Sequence, residues 1–395
     1  PSLYSDVLRG IKILPGVTSN NELSSAYNVR GGNFDENLIY LNGYQIYRPY
    51  LLRIGVEENQ SLVNPDLTES VNFYSGGFPA RFGDRMASVL EVNYLGDQSG
   101  DFRGVARGDF FNLGIALHQV SGKVNWSFGA RYANPETFLN KLQTSGNYRP
   151  RYSDLQFLLN YQPTKKSRFQ LFSLYANNDF DLTPKLWKGN FKFGQYDVRG
   201  VDIDYQGNQG YTFQTGLLAA KWEHQRSSHM QFFFSAAGFF SKEDENRNLT
   251  GDIFYIPNAR EPWQERQYLK TRIETVENQL QLSNYDFQAG LMKQIGKHRL
   301  HSGISFKYNK LKNNIDELFE ESSEGNLLEP VQRLYQNWTI DFNQLEWYGE
   351  DQFSAGSKIQ INAGIRFLYY AYTLEKLVSP RLSLLYFPAD KHSLY

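Results

Sequence analysis

Cysteine is absent from the 395 residues, which excludes disulfides, thiolate metal sites and cysteine catalysis. Methionine is scarce, at three residues. No apolar run reaches the roughly 18 residues that a membrane-spanning helix needs; the longest hydrophobic patch is FFFSAAGFF, residues 232–240. Charge of one sign is not in surplus either. With 41 Lys and Arg against 42 Asp and Glu the formal net charge is −1, which gives no case for nucleic acid as a partner. The opening PSLYSDVLRG has neither the basic nor the apolar region of a signal peptide, so the chain reads as processed or partial. G-x-S-x-G, H-E-x-x-H and P-loop arrangements are missing, and the six histidines fall around turns without ligand spacing. No enzyme activity, resident metal or cofactor is expected.

What is abundant is aromatic: 27 Tyr and 29 Phe, residues that suit pleated surfaces and the interfacial girdles of membrane barrels. A mean hydropathy of −0.55 is compatible with such a barrel, because only alternate residues of each strand face lipid. From about residue 100 onward the hydrophobic period is two. Val124, Trp126, Phe128, Ala130 and Tyr132 oppose Lys123, Asn125, Ser127, Gly129 and Arg131. Ile359, Ile361, Ala363, Ile365 and Phe367 oppose Lys358, Gln360, Asn362, Gly364 and Arg366, and residues 299–308 repeat the device. These are amphipathic strands. In QLQLSNYDFQAGL the apolar face switches from Leu280 and Leu282 to Tyr285 and Phe287, which predicts a bulge near Ser283.

Short turns at 121–123, 164–167, 226–228, 296–298, 355–357 and 389–392 alternate with longer polar connections at about 134–152, 178–210, 242–275, 311–337 and 371–379. That asymmetry is expected of outer-membrane barrels. Spanning strands of ~9–11 residues would give about twelve by the end of the sequence. A lipid-exposed sheet must close, since unpaired edges in hydrocarbon cost several kcal/mol per group. With about 100 N-terminal residues to house, the plugged class of about 22 strands is indicated, roughly half of it outside this sequence.

The first hundred residues are different in kind. LYSDVLRGIKILPGV spaces its apolar residues as one short helix ending at Pro15-Gly16. NLIYLNGYQIY is a hairpin on Asn42-Gly43, where both turn positions tolerate positive φ. A capped turn and a strand around Val71 and Phe73 follow, then the strand ASVLEVNYL. LPGV, NVRGG, the hairpin and VNPDLTESVNFYSGGFPARFGDRMASVLEV, residues 63–92, resemble the plug domain of TonB-dependent outer-membrane receptors, most closely those of Bacteroidetes type. The sequence departs from that pattern at Asn42, Asp84 and Ala87, where Asp, Gly and Ser are common.

The resemblance implies an all-β membrane protein, a large antiparallel transmembrane β-barrel (residues 99–395) with a small α+β plug (residues 1–98) in its lumen. Its implied location is the bacterial outer membrane, with extracellular loops and a periplasm-facing plug. Gly31, Gly32, Gly76, Gly77 and Gly83 would supply tight turns, with Asn42 and Gly43 at the hairpin. Arg30 and Arg81 would pair with carboxylates of the barrel wall, for which Glu346 and Glu350 are candidates, or else brace the plug itself. Implied partners are outer-membrane lipid, the TonB energy-transducing complex and a surface lipoprotein or other outer-membrane subunit. The implied function is energy-coupled uptake of a scarce ferric chelate, cobalamin, oligosaccharide or peptide. A plugged barrel serving as scaffold in a larger outer-membrane complex is the alternative, and a soluble β-rich enzyme or adhesin a third.

Phe180, Trp187 and Tyr196 in one long connection, and Phe254, Tyr255 and Trp263 in another, are candidates for ligand contact at the barrel mouth, where rings hold sugars, peptides or chelates. Interfacial or loop-packing roles compete with that reading. DELFEESSEG carries Asp316, Glu317, Glu320, Glu321 and Glu324 without regular Ca²⁺ spacing, and reads as a solvated acidic loop.

Overall fold

In the computed structural model the described residues are 6–19, 25–47, 61–83, 85, 87–96, 102–110, 112–134, 136–142, 146–192, 198–259, 265–323, 329–356, 358–389 and 392–394. The chain opens with α1 (Val7–Ile11), capped by the Asp6 carboxylate, which accepts from the Leu8 N–H at 2.8 Å. A small sheet of β1 (Val17–Thr18) and β2 (Asn28–Val29) follows. A four-stranded sheet is then built from β3 (Asn37–Leu41), β4 (Tyr44–Gln45), β5 (Thr68–Tyr74) and β6 (Ser88–Tyr94) in the order β4-β3-β6-β5. β3 runs parallel to β6, while the β3–β4 and β5–β6 pairs are antiparallel. Mixed pairing and a helix make this an α+β unit, as the N-terminal pattern predicts.

The remaining strands form one antiparallel sheet. Its first members are β7 (Arg103–Gly108), β8 (Asn112–Ser121) and β9 (Val124–Ala133), followed by the short α2 (Glu136–Leu142). Then come β10 (Gly146–Thr164), β11 (Ser167–Pro184), β12 (Leu186–Lys192), β13 (Val198–Ser227), β14 (Met230–Ile256) and β15 (Gln267–Ile295). β16 (His298–Ser323), β17 (Glu329–Ala355), β18 (Ile359–Tyr370), β19 (Glu375–Ala389) and β20 (His392–Leu394) complete it. Among the described residues each strand pairs with its chain neighbour except that β11 pairs with β13 and β12 pairs with β13 alone, giving 14 strands with β7 and β20 at the ends of the path and β12 off it. Five of the six short turns lie where the sequence puts them, and the interior of the sixth, residues 390–391, lies outside the described residues.

The two faces of the sheet differ as the alternation requires. Leu155, Phe169, Leu218, Phe287, Phe306 and Leu345 lie exposed on one face. Asp154, Gln156, Asn284, Lys307, Glu346 and Arg366 lie buried on the other, which wraps the N-terminal unit. The apolar core therefore runs from that unit into the sheet: Tyr44, Leu62, Tyr94, Phe172 and Phe239 belong to one buried cluster.

Two expectations are corrected. The long polar connections are mostly strand: β13 has 30 residues and β15 has 29, so these hairpins extend far beyond the ~9–11 residues needed to cross a bilayer. Beyond the apolar band both faces meet water, so the hydrophobic alternation fades while the backbone ladder continues. The acidic segment 316–323 is accordingly part of β16 and not a loop. Asp316 pairs with Arg333 at 2.9 Å and Glu321 with Lys270 at 2.7 Å; Glu324 lies outside the described residues. Nor is there a bulge near Ser283, because the register runs unbroken from Phe240↔Ser283 to Ser283↔Lys310. Leu282 is an inward residue packed against the buried cluster, and Tyr285 and Phe287 belong to the outward set.

Candidate functional site

Among the described residues, three groups of contacts between the N-terminal unit and the wall each rest on a local chain feature. The first is the hairpin. Asn42 and Gly43 adopt φ of 52° and 85°, the left-handed pair a two-residue turn needs. Asn42 is buried; its Oδ1 accepts the Tyr94 N–H at 2.8 Å, tying the turn to β6. Next to the hairpin, Tyr44 and Tyr94 lie against Phe172 of the wall at 6.4 and 6.0 Å between ring centroids. Burial pushes the phenols of Tyr27, Tyr44 and Tyr94 well above their ordinary value of 10.0, and at Tyr44 the carboxylates of Glu223 and Asp286 add to the effect. A cavity of about 320 Å³ remains beside the hairpin, lined among others by Gly43, Lys221, Glu223, Asp286 and Lys307.

The second set is a clamp on residues 61–67. Arg131 of β9 is paired to Asp154 of β10 at 2.8 Å and donates to the carbonyls of Ser61 (3.0 Å), Leu62 (3.3 Å) and Val63 (3.1 Å). Gln156 donates to the Leu62 carbonyl at 2.7 Å and accepts from the Tyr94 hydroxyl at 2.5 Å. The Asn64 N–H in turn donates to that hydroxyl at 2.8 Å. A Cβ on Gly129 would run into Asn64 and Leu67, so the glycine is what lets the segment approach the strand so closely.

The third set surrounds residues 76–83. Arg81 pairs with Glu350 at 3.2 Å, and its guanidinium stands 4.6 Å from the Phe82 ring. Arg366 donates to the carbonyls of Ala80 (3.2 Å) and Arg81 (2.9 Å) and is paired with Glu346, which also holds Lys307 at 2.8 Å. A Cβ on Gly83 would collide with the Arg366 guanidinium. Gly77 has φ of 59° and faces Ser383 of β19. Buried charges are tolerated only when paired and hydrogen-bonded, a condition the Glu346 group meets.

The predicted residues thus divide. Arg81 reaches Glu350, whereas Glu346 is occupied by wall cations. Arg30 does not reach a wall carboxylate among the described residues: with φ of 50° beside Gly31 (φ 84°), it lies against Gly16 and Gly76 and braces the N-terminal unit itself. Gly32 is packed against Ala87 and Glu36. Phe180, expected in a loop, is a buried residue of β11 between Tyr148 and Tyr211, at 5.9 and 6.3 Å. Trp187 is exposed on β12. Phe254 and Tyr255 are consecutive in β14 and so point to opposite faces; Phe254 is held between Tyr268 (5.9 Å) and the Arg266 guanidinium (4.1 Å). Tyr196, Trp263 and Asp84 lie outside the described residues. Arg131, Gln156 and Arg366 belong to no family motif; each lies on the polar face of an alternating strand, and the two arginines each follow a glycine by two positions. Among the described residues no three acidic or histidine side chains gather as a metal site.

A family model described as the TonB dependent receptor-like beta-barrel matches residues 179–395, and one described as the TonB-dependent receptor plug domain matches residues 4–89. The chain belongs to the TonB-dependent receptor family. Among solved structures, the unliganded ferric citrate transporter FecA aligns with a TM-score of 0.57 at 14% identity, over 98% of this chain and 59% of that one. BauA, the ferric preacinetobactin receptor from Acinetobacter baumannii, aligns with a TM-score of 0.57 at 12% identity, over 96% and 58%. The siderophore receptor PiuA from Acinetobacter baumannii gives 0.54 at 12%, over 95% and 58%. Likeness at such identities establishes the fold. The chain spans just under three fifths of the length of these structures. No curated protein matches its sequence.

Proposed function

We propose that the protein is an energy-coupled importer in which residues 1–98 form a plug and residues 99–395 form part of a closed barrel of about 22 strands. The supporting observation is the character of part of the plug's contacts: beside the apolar cluster that the two units share, the wall grips the plug by side chains bonded to backbone carbonyls and by ion pairs, and a cavity persists beside its hairpin. These polar contacts can be exchanged for water at modest cost as the plug shifts, and the apolar surface it would expose is the cluster shared by Tyr44, Tyr94, Phe172 and Phe239. The short turns would face the periplasm and the long hairpins the exterior. Pulling by the TonB complex would shift the plug and join the cavity to the bulk. The cargo would be a scarce ferric chelate, cobalamin, oligosaccharide or peptide, met by the long hairpins, where Trp187 is exposed and Phe254 and Tyr255 also lie.

Zero native cysteines make a direct test available. A Cβ placed on Gly364 would abut the Ala80 Cβ, so the pair Ala80→Cys with Gly364→Cys places two thiols within bonding reach once the backbone yields slightly. Growth would be followed with ferric citrate, other ferric chelates, cobalamin, oligosaccharides or peptides as the limiting nutrient. The expected result is growth that depends on the protein and on TonB, stops when the pair is oxidised and resumes on reduction. Growth on every nutrient without either protein would refute the reading.

A further inference from the structure

The outward face of the sheet carries, between β10 and β17, a groove of about 710 Å³. Its floor is Ala220, paired with Ala236 across β13 and β14, and Ala289 on β15. On the side nearer the short turns the wall is a ladder in which Phe169, Trp222 and Phe234 stack across three strands at 6.3 and 5.7 Å. On the far side stand Phe287 and Phe306, cross-strand partners, 53% and 43% exposed. Every one of these residues shares the face that the family places against lipid.

The ladder sits close to a charged margin. Lys166 precedes Phe169 by three positions and Arg226 follows Trp222 by four, about 10–13 Å at the strand rise of ~3.3 Å per residue. That is of the order of the polar headgroup layer of a bilayer leaflet. Lys165, Lys166 and Arg226 are all exposed. Aromatic rings at the headgroup level, hydrocarbon-facing alanines on one side and cations on the other reproduce the polarity profile of a single lipid with a negative head. A polypeptide occupant fits less well. β-Augmentation needs an unpaired strand edge, and β10, β11, β13, β14, β15, β16 and β17 are paired on both sides.

We infer that the groove seats the acyl chain of one anionic phospholipid of the leaflet at the short-turn end, its phosphate drawn to Lys165, Lys166 and Arg226. The site rests on the membrane-barrel reading. The experiment uses the full protein in nanodiscs of phosphatidylethanolamine with graded phosphatidylglycerol, read by native mass spectrometry of the lipids retained after extraction. The wild type should keep one phosphatidylglycerol in about tenfold preference over phosphatidylethanolamine. The triple variant K165Q/K166Q/R226Q, altered only at exposed residues in or beside the short turns, should keep a lipid but lose the preference; Ala236→Phe should lose the lipid while keeping heat-modifiable mobility. Equal retention of both lipids by the wild type, an unchanged preference in the triple variant, or a stoichiometric protein in place of lipid would overturn the inference. A chain that remains in solution without detergent would instead sink the membrane reading beneath it.

Discussion

Replacing Arg131 by methionine isolates the clamp on residues 61–63. The change removes donors to three carbonyls and strands the Asp154 carboxylate, whose side chain is only 1% exposed in the intact pair. Removing one partner of a buried ion pair costs about 3–5 kcal/mol. Because β9 stays paired with β8 and β10 along its length, the loss should fall on the plug segment and spare the barrel. At about 1.4 kcal/mol per tenfold, the lower bound corresponds to roughly a hundredfold faster exchange of the amides around 61–67 and 88–94, measured on the detergent-solubilised protein. SDS-resistant mobility should persist. Adding Asp154→Leu removes the stranded charge and should recover part of the loss, since apolar replacement of a whole buried pair is often close to neutral. The unmet carbonyls would keep the double variant below the wild type by about 1–3 kcal/mol. Exchange in R131M within about threefold of the wild type would show that the plug is held elsewhere and refute the clamp.

Three further outcomes follow from the same geometry. Gly83→Ala should displace the Arg366 guanidinium from the Ala80 and Arg81 carbonyls, lowering plug stability by about 2 kcal/mol or more; unchanged urea-induced release of the plug would contradict this. Asn42→Ala forces alanine into a left-handed turn position and leaves the buried Tyr94 N–H without its acceptor, for about 2–4 kcal/mol together, whereas Asn42→Gly relieves only the backbone component of roughly 1 kcal/mol. Equal losses in the two variants would remove the backbone component from the account, and an unchanged exchange rate of the Tyr94 amide in Asn42→Gly would remove the hydrogen bond. Finally, Tyr27, Tyr44 and Tyr94 must remain protonated while the plug is folded. Their raised phenol values make the plug's stability complete below the ordinary value near 10 and progressively lost as the pH rises above it. Phenolate absorbance should lag behind that of the exposed tyrosines and then appear cooperatively with plug unfolding; simple independent titration near 10 would argue against burial.

The alternation along 123–132, 299–308 and 358–369, the six short turns and the Asn42-Gly43 hairpin are legible because each has a purely local cause. Strand periodicity follows from one face meeting lipid and the other the lumen, and a tight turn from positive φ. Where the cause ceases to be local the signal weakens. Residues 178–210 and 242–275 read as loops because outside the bilayer neither face needs to be apolar. Phe180 reads as a ligand residue on the same ground, although its β11 position turns it inward to Tyr148 and Tyr211. Leu280 and Leu282 imitate a bulge because inward apolar side chains are assumed to be errors of register, when a plug occupying the lumen supplies apolar surface to meet them.

The residues that grip the plug show a subtler regularity. Arg131 and Arg366 lie some 70 and 285 positions from the backbone carbonyls they bind, a separation no motif encodes. Yet each follows a glycine by two residues, in GAR (129–131) and GIR (364–366), and a spacing of two keeps both on the lumen face. The glycines are where an added Cβ would strike the plug, at Asn64 and Leu67 in one case and Ala80 in the other. Close approach of two backbones and a long donor reaching past the gap are one device: the glycine removes the obstacle and the arginine satisfies the carbonyls that the approach would otherwise desolvate. In this chain a glycine followed two positions later by an arginine on the polar face of an alternating strand marks both of these wall positions.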